Sequence, residues 1–406
     1  MPLHIRLRLS LMMFAEFFIW GGWFVTMGTY LTKTLGATDG QNALAYSTQS
    51  WGAIIAPFII GLVADRFFAA QRLLGVLHLA GAALLYYASL QPSFEGFYPA
   101  IFAYMAVYMP TLALVNSVAF GQMQQAEKEF ARIRVWGTAG WIVAGLLIGW
   151  LQWEAGGQLV NTFRLTAVVS GLLGLYSFTL PHTPPAARGK QIRLADVLGL
   201  EALSLLKQRN FLVFFAGCIL ICIPLAFYYQ QTNVFLNELG LPRAAATMSL
   251  GQMSELAFMV VMPWFFKRLG VKYMLLVAMA AWVLRYVLFA YGSPNGVGLW
   301  MLYAGIILHG ICYDFFFVTG QIYTDAQAGL RIRSAAQGMI TLATYGVGML
   351  IGFWLAGKVA NHYAAATGHT WQPIWMIPAA VAAAVGLLFW LLFSAKAEGT
   401  PAMPGQ

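Results

Sequence analysis

Residues 61–72 read GLVADRFFAAQR, and this short polar stretch separates two long apolar segments of the chain. It contains the charged pair Asp65 and Arg66, whereas the segments at 43–64 and 72–90 have one charge between them, at the start of the second. About 20 apolar residues are enough to cross a bilayer as a helix, and short loops rich in Lys and Arg stay cytoplasmic. The stretch therefore predicts a cytoplasmic turn between two membrane spans.

The same alternation of apolar segments and short polar loops continues through the chain. Of its 406 residues, 60% are hydrophobic and 9% are charged, and the mean hydropathy is +0.70. This composition excludes a soluble globular protein and predicts an all-α membrane protein with twelve transmembrane helices. The predicted spans lie near 9–31, 43–64, 72–90, 98–121, 134–151, 164–181, 211–235, 246–266, 273–290, 298–322, 335–357 and 374–394.

The longest connection between spans divides the twelve into two six-helix halves. It opens with three prolines and then becomes rich in charged residues, while apolar residues recur at helical spacing between Leu194 and Leu206. We expect an amphipathic surface helix here, and the alternative is a plain linker. The N-terminal half, the linker, the C-terminal half and the tail are then residues 1–181, 182–210, 211–395 and 396–406.

The distribution of Lys and Arg predicts the orientation in the membrane. With the N-terminus in the cytoplasm, 18 of the 23 Lys and Arg residues fall at cytoplasmic ends of spans, four fall outside, and Arg285 lies within a span. Cytoplasmic loops carry the excess of positive charge, so we expect both termini in the cytoplasm. The net charge of +9 is explained in this way without a nucleic-acid partner.

Five ionisable residues interrupt otherwise apolar spans: Glu16, Arg134, Glu255, Arg285 and Asp314. A charge at the centre of a bilayer costs roughly 2.5–3.5 kcal/mol on insertion scales, and such residues usually face a polar cavity or a pathway for ions or substrate. A polytopic transporter is therefore the expected class. The motifs of a metalloprotease, a P-loop enzyme or a serine hydrolase do not occur in the sequence, and no enzyme activity is predicted.

The twelve spans, their division into two sixes and the loop motif Gly61-x-x-x-Asp65-Arg66 resemble the major facilitator superfamily. The corresponding loop of the second half, Phe266–Lys272, is a weaker basic counterpart. The alternative explanation of the loop motif is simple anchoring by positive charge. The resemblance implies transport by alternating access around a site near the membrane midplane.

Seven segments together resemble the bacterial nucleoside:proton symporter family of this superfamily. They are Phe18–Trp23, Tyr108–Leu112, Arg132–Thr138, Gly251–Glu255, Leu284–Gly292, Tyr313–Phe316 and Arg333–Gly338. The resemblance covers nearly the whole chain and implies a multi-pass protein of the bacterial inner membrane. It implies nucleosides and protons as partners, within the lipid bilayer, and no cofactor or metal. A carrier of another hydroxylated solute, such as a sugar, or a non-transporting sensor remains an alternative.

Gln252 and Glu255 are three residues apart in the eighth span and share one helical face. A carboxamide beside a carboxylate can bond ribose hydroxyls and a base edge through donors and acceptors. The alternative is a polar contact between helices. The family resemblance implies that both residues bind substrate.

Asp314 is the first candidate for proton coupling, and Glu255 is the second. A proton-coupled carrier needs an acid whose proton affinity changes between its two access states, and burial or a nearby cation provides such a change. The alternative for Asp314 is a permanent ion pair with Arg285 or Arg134. His309 and Tyr313, four residues apart, are candidates to line the cavity, although His309 could instead be a packing residue.

Arg134, Thr138 and Trp141 lie on one face at the start of the fifth span. The resemblance implies that the Arg and Thr bind substrate and that Trp141 stacks on a base, whereas an interfacial anchor is the alternative for Arg134. The seventh span departs from the family pattern, because the substrate-binding amides of the family align with Ala226 and Tyr229 here. Three amides lie close by, at Gln230, Gln231 and Asn233. Base selectivity is therefore left open.

Overall fold

The computed structural model describes residues 1–60, 67–123, 126–185 and 200–394. The chain forms two compact units. The first unit comprises the described residues up to 185 together with Arg243–Ala246, and the second comprises 200–242 and 247–394. The motif at 61–66, residues 194–199 of the predicted amphipathic helix and the tail lie outside the described residues.

The first unit consists of seven described α-helices, because residues 22–26 interrupt the first predicted span. They are α1 (Leu3–Gly21), α2 (Met27–Thr34), α3 (Asp39–Ile59), α4 (Ala70–Ser89), α5 (Phe94–Phe120), α6 (Ala126–Trp150) and α7 (Val160–Ser177). Each predicted span of this half coincides with one of these helices or, for the first span, with two. In this unit α1 packs against α6, and α4 packs against both α5 and α7.

The second unit begins with a 3-10 helix, Leu200–Lys207, and then contains long apolar helices. They are α8 (Arg209–Glu238), α9 (Ala244–Tyr291), α10 (Gly296–Ile307), α11 (His309–Tyr313), α12 (Thr319–Thr341), α13 (Met349–His362) and α14 (Trp371–Leu392). Two π-helical turns, Asp314–Val318 and Leu342–Gly348, join α11 to α12 and α12 to α13. Only Ala202 and Leu205 are buried in the 3-10 helix, where the end of an amphipathic helix was expected.

The interruption after α1 has a physical cause in the pair Gly21 and Gly22. Glycine has a low helix propensity, and both positions are in close contact with neighbouring helices. A Cβ atom on Gly21 would lie 2.8 Å from the Trp141 ring, and one on Gly22 would lie 2.5 Å from the Thr166 methyl group. The glycines therefore let the chain approach α6 and α7 at the cost of a continuous helix.

Two further glycines separate spans that are otherwise merged into continuous helices. Gly270 within α9 has φ 64° and Gly329 within α12 has φ 63°. These values lie in the left-handed region that glycine adopts without steric cost. Gly270 divides α9 into the eighth and ninth spans. Gly329 divides α12 into the end of the tenth span and the start of the eleventh. With these divisions, the described helices account for the twelve predicted spans.

Length and composition agree with a membrane protein. Among the described residues, eight helical stretches are long and apolar enough to cross a membrane, and one of them, Ala244–Tyr291, is 48 residues long. At 1.5 Å per residue this stretch is long enough for two crossings. Large apolar side chains such as Val260, Val297 and Trp300 are more than 70% exposed, as expected for surfaces that face lipid.

Candidate functional site

Asp314 is the first residue of a π-helical turn in the second unit. Its side chain is fully buried, and neither carboxylate oxygen accepts a hydrogen bond from any described residue. The permanent ion pair with Arg285, which the sequence left as an alternative, is therefore not formed here. Because π-helical turns interrupt the regular bonding pattern and often occur at functional sites, the backbone and the side chain single out the same position.

Glu255, Tyr229, Tyr313 and Tyr345 form a half-buried polar cluster beside Asp314. The hydroxyl groups of Tyr313 and Tyr345 are 2.8 Å apart and share a hydrogen bond. Glu255 lies within electrostatic range of Asp314 and of both Tyr229 and Tyr313. The cluster thus provides one partly accessible carboxylate and three phenol groups, which can donate to and accept from a hydroxylated ligand.

Arg285 is fully buried but bonds to aromatic groups rather than to a carboxylate. Its guanidinium carbon lies 3.5 Å from the centre of the Tyr228 ring, and Nη1 lies 3.2 Å from His309 Nδ1. Arginine can only donate, so His309 Nδ1 accepts and the imidazole carries its proton on Nε2. The His309 ring also stacks on Tyr228, with centroids 5.1 Å apart. This arrangement matches the packing role that the sequence left open for His309.

The positions of Gln252 and Glu255 are fixed by contacts between α9 and the α10–α11 segment. A Cβ atom on Gly251 would lie 3.1 Å from His309 Cβ, and one on Gly310 would lie 2.7 Å from the backbone nitrogen of Glu255. Gln252 is buried and Glu255 is half-buried. The six predicted residues of this half therefore lie on three neighbouring elements of one unit: α8, α9 and the α11–π segment.

The amides of the seventh span have two different environments. Gln230 and Gln231 are fully buried, and their amide atoms have no hydrogen-bond partner among the described residues. Asn233 instead contacts the Met248 sulfur and accepts hydrogen bonds from Asn237. A buried amide without a partner is costly, so Gln230 and Gln231 are groups for which a bound polar molecule would supply the missing bonds.

The remaining predicted residues, Arg134, Thr138 and Trp141, lie on α6 in the first unit. The Arg134 guanidinium lies 4.1 Å from the centre of the Phe17 ring on α1, so a cation–π contact holds it. Thr138 is buried, and the Trp141 ring meets Trp20 edge to face at 5.4 Å. The indole N–H of Trp20 is buried and has no partner among the described residues.

Sequence reasoning did not place Tyr345, Trp20 or Tyr228 in the site. Tyr345 has no sequence signal, because its position depends on the π-helical turn Leu342–Gly348. Trp20 belongs to a quoted segment, but aromatic residues in membrane spans mostly pack helices or mark interfaces. For Tyr228 the sequence held one signal, because the charge of Arg285 within a span needs a partner, and an aromatic ring can serve as one.

Comparison with known proteins identifies the family. The family model described as "Nucleoside H+ symporter" matches residues 3–398 of this chain, which is nearly its whole length. The chain belongs to the nucleoside H+ symporter family. Its fold is the all-helical transporter fold of the major facilitator superfamily, and it is a multi-pass membrane protein and not an enzyme.

Several known proteins resemble the chain over nearly its full length. YegT of Escherichia coli strain K12 is 43% identical over 397 residues, which cover 95% of this chain and 93% of YegT. Xanthosine permease of the same strain is 32% identical, and 96% of each chain is covered. Two crystal structures of nucleoside transporter NupG, both 30% identical to this chain, have TM-scores of 0.90 and 0.87 and cover 96% of it.

Proposed function

We propose that this chain imports nucleosides together with protons by alternating access. The observation that carries the proposal is Asp314, a carboxylate that is fully buried in an apolar unit without a hydrogen-bond partner among the described residues. Burial without a partner disfavours a permanent charge. Such a group is suited to take up a proton in one state and release it in another.

Glu255 supports a division of labour between the two carboxylates. It is half-buried and lies among three tyrosines, whereas Asp314 is enclosed. We assign substrate recognition to Glu255 and Gln252, and proton exchange first to Asp314. Because the two acids lie within electrostatic range, the charge on one raises the cost of the charge on the other. A ligand that binds Glu255 would thereby influence the proton on Asp314.

The proposed substrate contacts also include aromatic groups. Tyr229, Tyr313 and Trp141 are half-buried, so each presents part of its ring to a ligand. We assign Trp141 to stacking on a base and Arg134 and Thr138 to polar contacts with substrate. His309 is assigned to the site through its Nε2–H, because Nδ1 is engaged by Arg285.

The proposed orientation places both termini in the cytoplasm and the protein in the bacterial inner membrane. Its support is the distribution of Lys and Arg, of which 18 of 23 lie at the ends that would be cytoplasmic. Protons entering through an inside-negative potential release about 2.3 kcal/mol per charge at 100 mV. That free energy can drive the accumulation of a neutral nucleoside.

The test is uptake of radiolabelled uridine and adenosine by proteoliposomes with an imposed inward proton gradient. We expect the nucleoside to accumulate above its external concentration and to leak out again when a protonophore is added. Unlabelled nucleosides should compete for uptake, and glucose should not. Accumulation that a protonophore does not affect would contradict proton coupling. Competition by glucose alone would favour a sugar carrier, and binding without counterflow would favour a sensor.

A further inference from the structure

A pair of ionisable residues that has no role in the assignments above is buried in the first unit. Glu16 on α1 and His78 on α4 are no more than 1% exposed, and Glu16 Oε2 lies 2.7 Å from His78 Nε2. The Thr111 hydroxyl on α5 lies 2.6 Å from Glu16 Oε1. Ser170 on α7 contacts His78 Nδ1 at 3.2 Å. One carboxylate–imidazole pair therefore joins four helices.

The hydrogen bonds require a proton between the side chains of His78 and Glu16. Ser170 has a single hydroxyl proton, which it donates to the backbone oxygen of His78 at 2.9 Å. The contact between Ser170 Oγ and His78 Nδ1 therefore requires a proton on Nδ1. The contact between His78 Nε2 and Glu16 Oε2 then needs one more proton, on either atom. The pair holds this shared proton as imidazolium and carboxylate or as imidazole and carboxylic acid.

Loss of the shared proton would have a mechanical consequence. The proton would pass to water, and the net charge of the pair would fall by one. The bare Nε2 lone pair would then face a carboxylate oxygen at the present distance of 2.7 Å, and this contact is repulsive. Deprotonation is thus linked to separation of α1 from α4, and closure of that contact is linked to proton uptake.

We propose that Glu16 and His78 form a second proton-binding site of this carrier, one that exchanges its proton when the contact between α1 and α4 opens. The inference rests on the proposed proton-coupled function and extends it to the first unit. Structural stabilisation alone is a weak explanation of the pair, because well-packed apolar residues usually replace a buried ion pair without loss of stability, and a charge within a span is expensive.

Other groups around Glu16 connect the pair to the proposed substrate contacts. From α5, Tyr104 and Tyr108 interact with Glu16, and the Tyr108 hydroxyl donates to its backbone oxygen at 2.8 Å. From α6, Arg134 lies over the ring of Phe17, the next residue along α1. From α7, Ser170 adds no ionisable group.

Trp20 lies one helical turn after Glu16 and touches both Tyr108 and Trp141. Movement of α1 away from α4 would carry Trp20 with it. The aromatic wall next to the proposed base-stacking residue would therefore change with the protonation of the pair.

The first test needs no substrate. Infrared difference spectra of the reconstituted protein are recorded between acidic and alkaline pH for the wild type, Glu16→Gln and His78→Gln. We expect a band of the Glu16 carboxyl group, as acid or as carboxylate, in the wild type that is lost in Glu16→Gln and shifted in His78→Gln. Thr111→Val and Ser170→Ala are the controls, because they remove a hydrogen bond from the same pair but no titratable group. They should shift the band without removing it.

The second test measures proton entry and uridine entry together in proteoliposomes that contain a pH-sensitive dye. Glu16→Gln and His78→Gln should keep uridine counterflow but take up fewer protons per uridine than the wild type. Three results would each overturn the proposal. The first is an unchanged carboxyl band in Glu16→Gln, and the second is a wild-type ratio of protons to uridine in both variants. The third is an equal loss of counterflow in these variants and in both controls. If the wild type moves no uridine, the proposed function fails, and the infrared result still decides the proton site.

Discussion

Asp314 and Arg285 are both fully buried in the second unit, yet Asp314 accepts no hydrogen bond from the described residues. The positive charge of Arg285 is stabilised by a cation–π contact with the face of Tyr228, whose ring centre lies 3.5 Å from the guanidinium carbon. A desolvated cation–π contact contributes about 2 kcal/mol or more. Because Tyr228 and His309 hold the guanidinium, Arg285 does not neutralise Asp314. Asp314 is therefore available to bind a proton.

Replacement of Asp314 by Asn should abolish uphill uptake and preserve exchange. The amide resembles the protonated acid in shape, so substrate binding and counterflow should remain, but the amide cannot release a proton. The measurement compares gradient-driven uptake with counterflow in proteoliposomes. Asp325→Asn is the matched control, because Asp325 is partly exposed and pairs with Arg333 at 3.7 Å, and such pairs contribute little. Gradient-driven uptake at the wild-type level in Asp314→Asn would contradict the assignment.

Replacement of Glu255 by Gln should weaken nucleoside binding by about 10- to 150-fold, because a hydrogen bond to a charged group contributes roughly 1.5–3 kcal/mol. Gln252→Ala should have a smaller effect, since the bonds of an amide are neutral. Calorimetry with uridine and its deoxy analogues measures both effects. The analogue without the bonded hydroxyl should lose affinity for the wild type but much less for Glu255→Gln. Additive losses for every hydroxyl would show that Glu255 does not bind the sugar.

At the level of helices, the positions of Glu255 and Asp314 depend on a close approach between α9 and the segment around α11. Gly310 makes this approach possible, because an added Cβ would lie 2.6 Å from the backbone carbon of Ser254. The Ser254 hydroxyl also accepts a hydrogen bond from the Gly310 backbone nitrogen at 3.0 Å. Backbone atoms cannot move aside as a flexible side chain can, so the position tolerates no larger residue without separating the helices.

Gly310→Ala should therefore lower the midpoint of thermal unfolding in detergent and reduce nucleoside affinity, since Glu255 follows Ser254 directly. Overpacking of this kind costs about 1–3 kcal/mol. The matched control is Gly338→Ala within α12, where nothing lies within 4 Å of an added Cβ. That change should be neutral or stabilising, because alanine restricts the unfolded chain. Equal thermal midpoints for the two variants would show that the contact at Gly310 is not tight.

The spans were predictable from sequence because hydropathy and length decide membrane insertion locally. Buried ionisable residues were also visible, and Glu16 and Asp314 both occupy the interior. Their partners were not predictable, since they depend on contacts between helices that are distant in sequence: Glu16 and His78 are 62 residues apart. The π-helical turns were not predictable either, because no propensity distinguishes them from the α-helices on each side.

For the whole molecule, the charge distribution predicts a definite membrane orientation. Single cysteines at Asn295 and Gln208, both exposed, should react differently with an impermeant thiol reagent in intact cells. Asn295 should be labelled and Gln208 should be labelled only after lysis. The native cysteines Cys218, Cys222 and Cys312 are buried and should give little background. Labelling of Gln208 but not of Asn295 in intact cells would show the inverted orientation.

The contact between Trp20 and Trp141 gives the molecule an optical property of its own. Two indoles at 5.4 Å with planes inclined by 64° couple their electronic transitions in a skewed arrangement, which produces rotational strength in the near ultraviolet. Trp371 and Trp375 are also close, at 5.9 Å, but their planes are inclined by only 20°, and near-parallel transitions contribute less. A base that stacks on Trp141 would alter the first couplet and leave the second unchanged, so circular dichroism would register occupancy without any label.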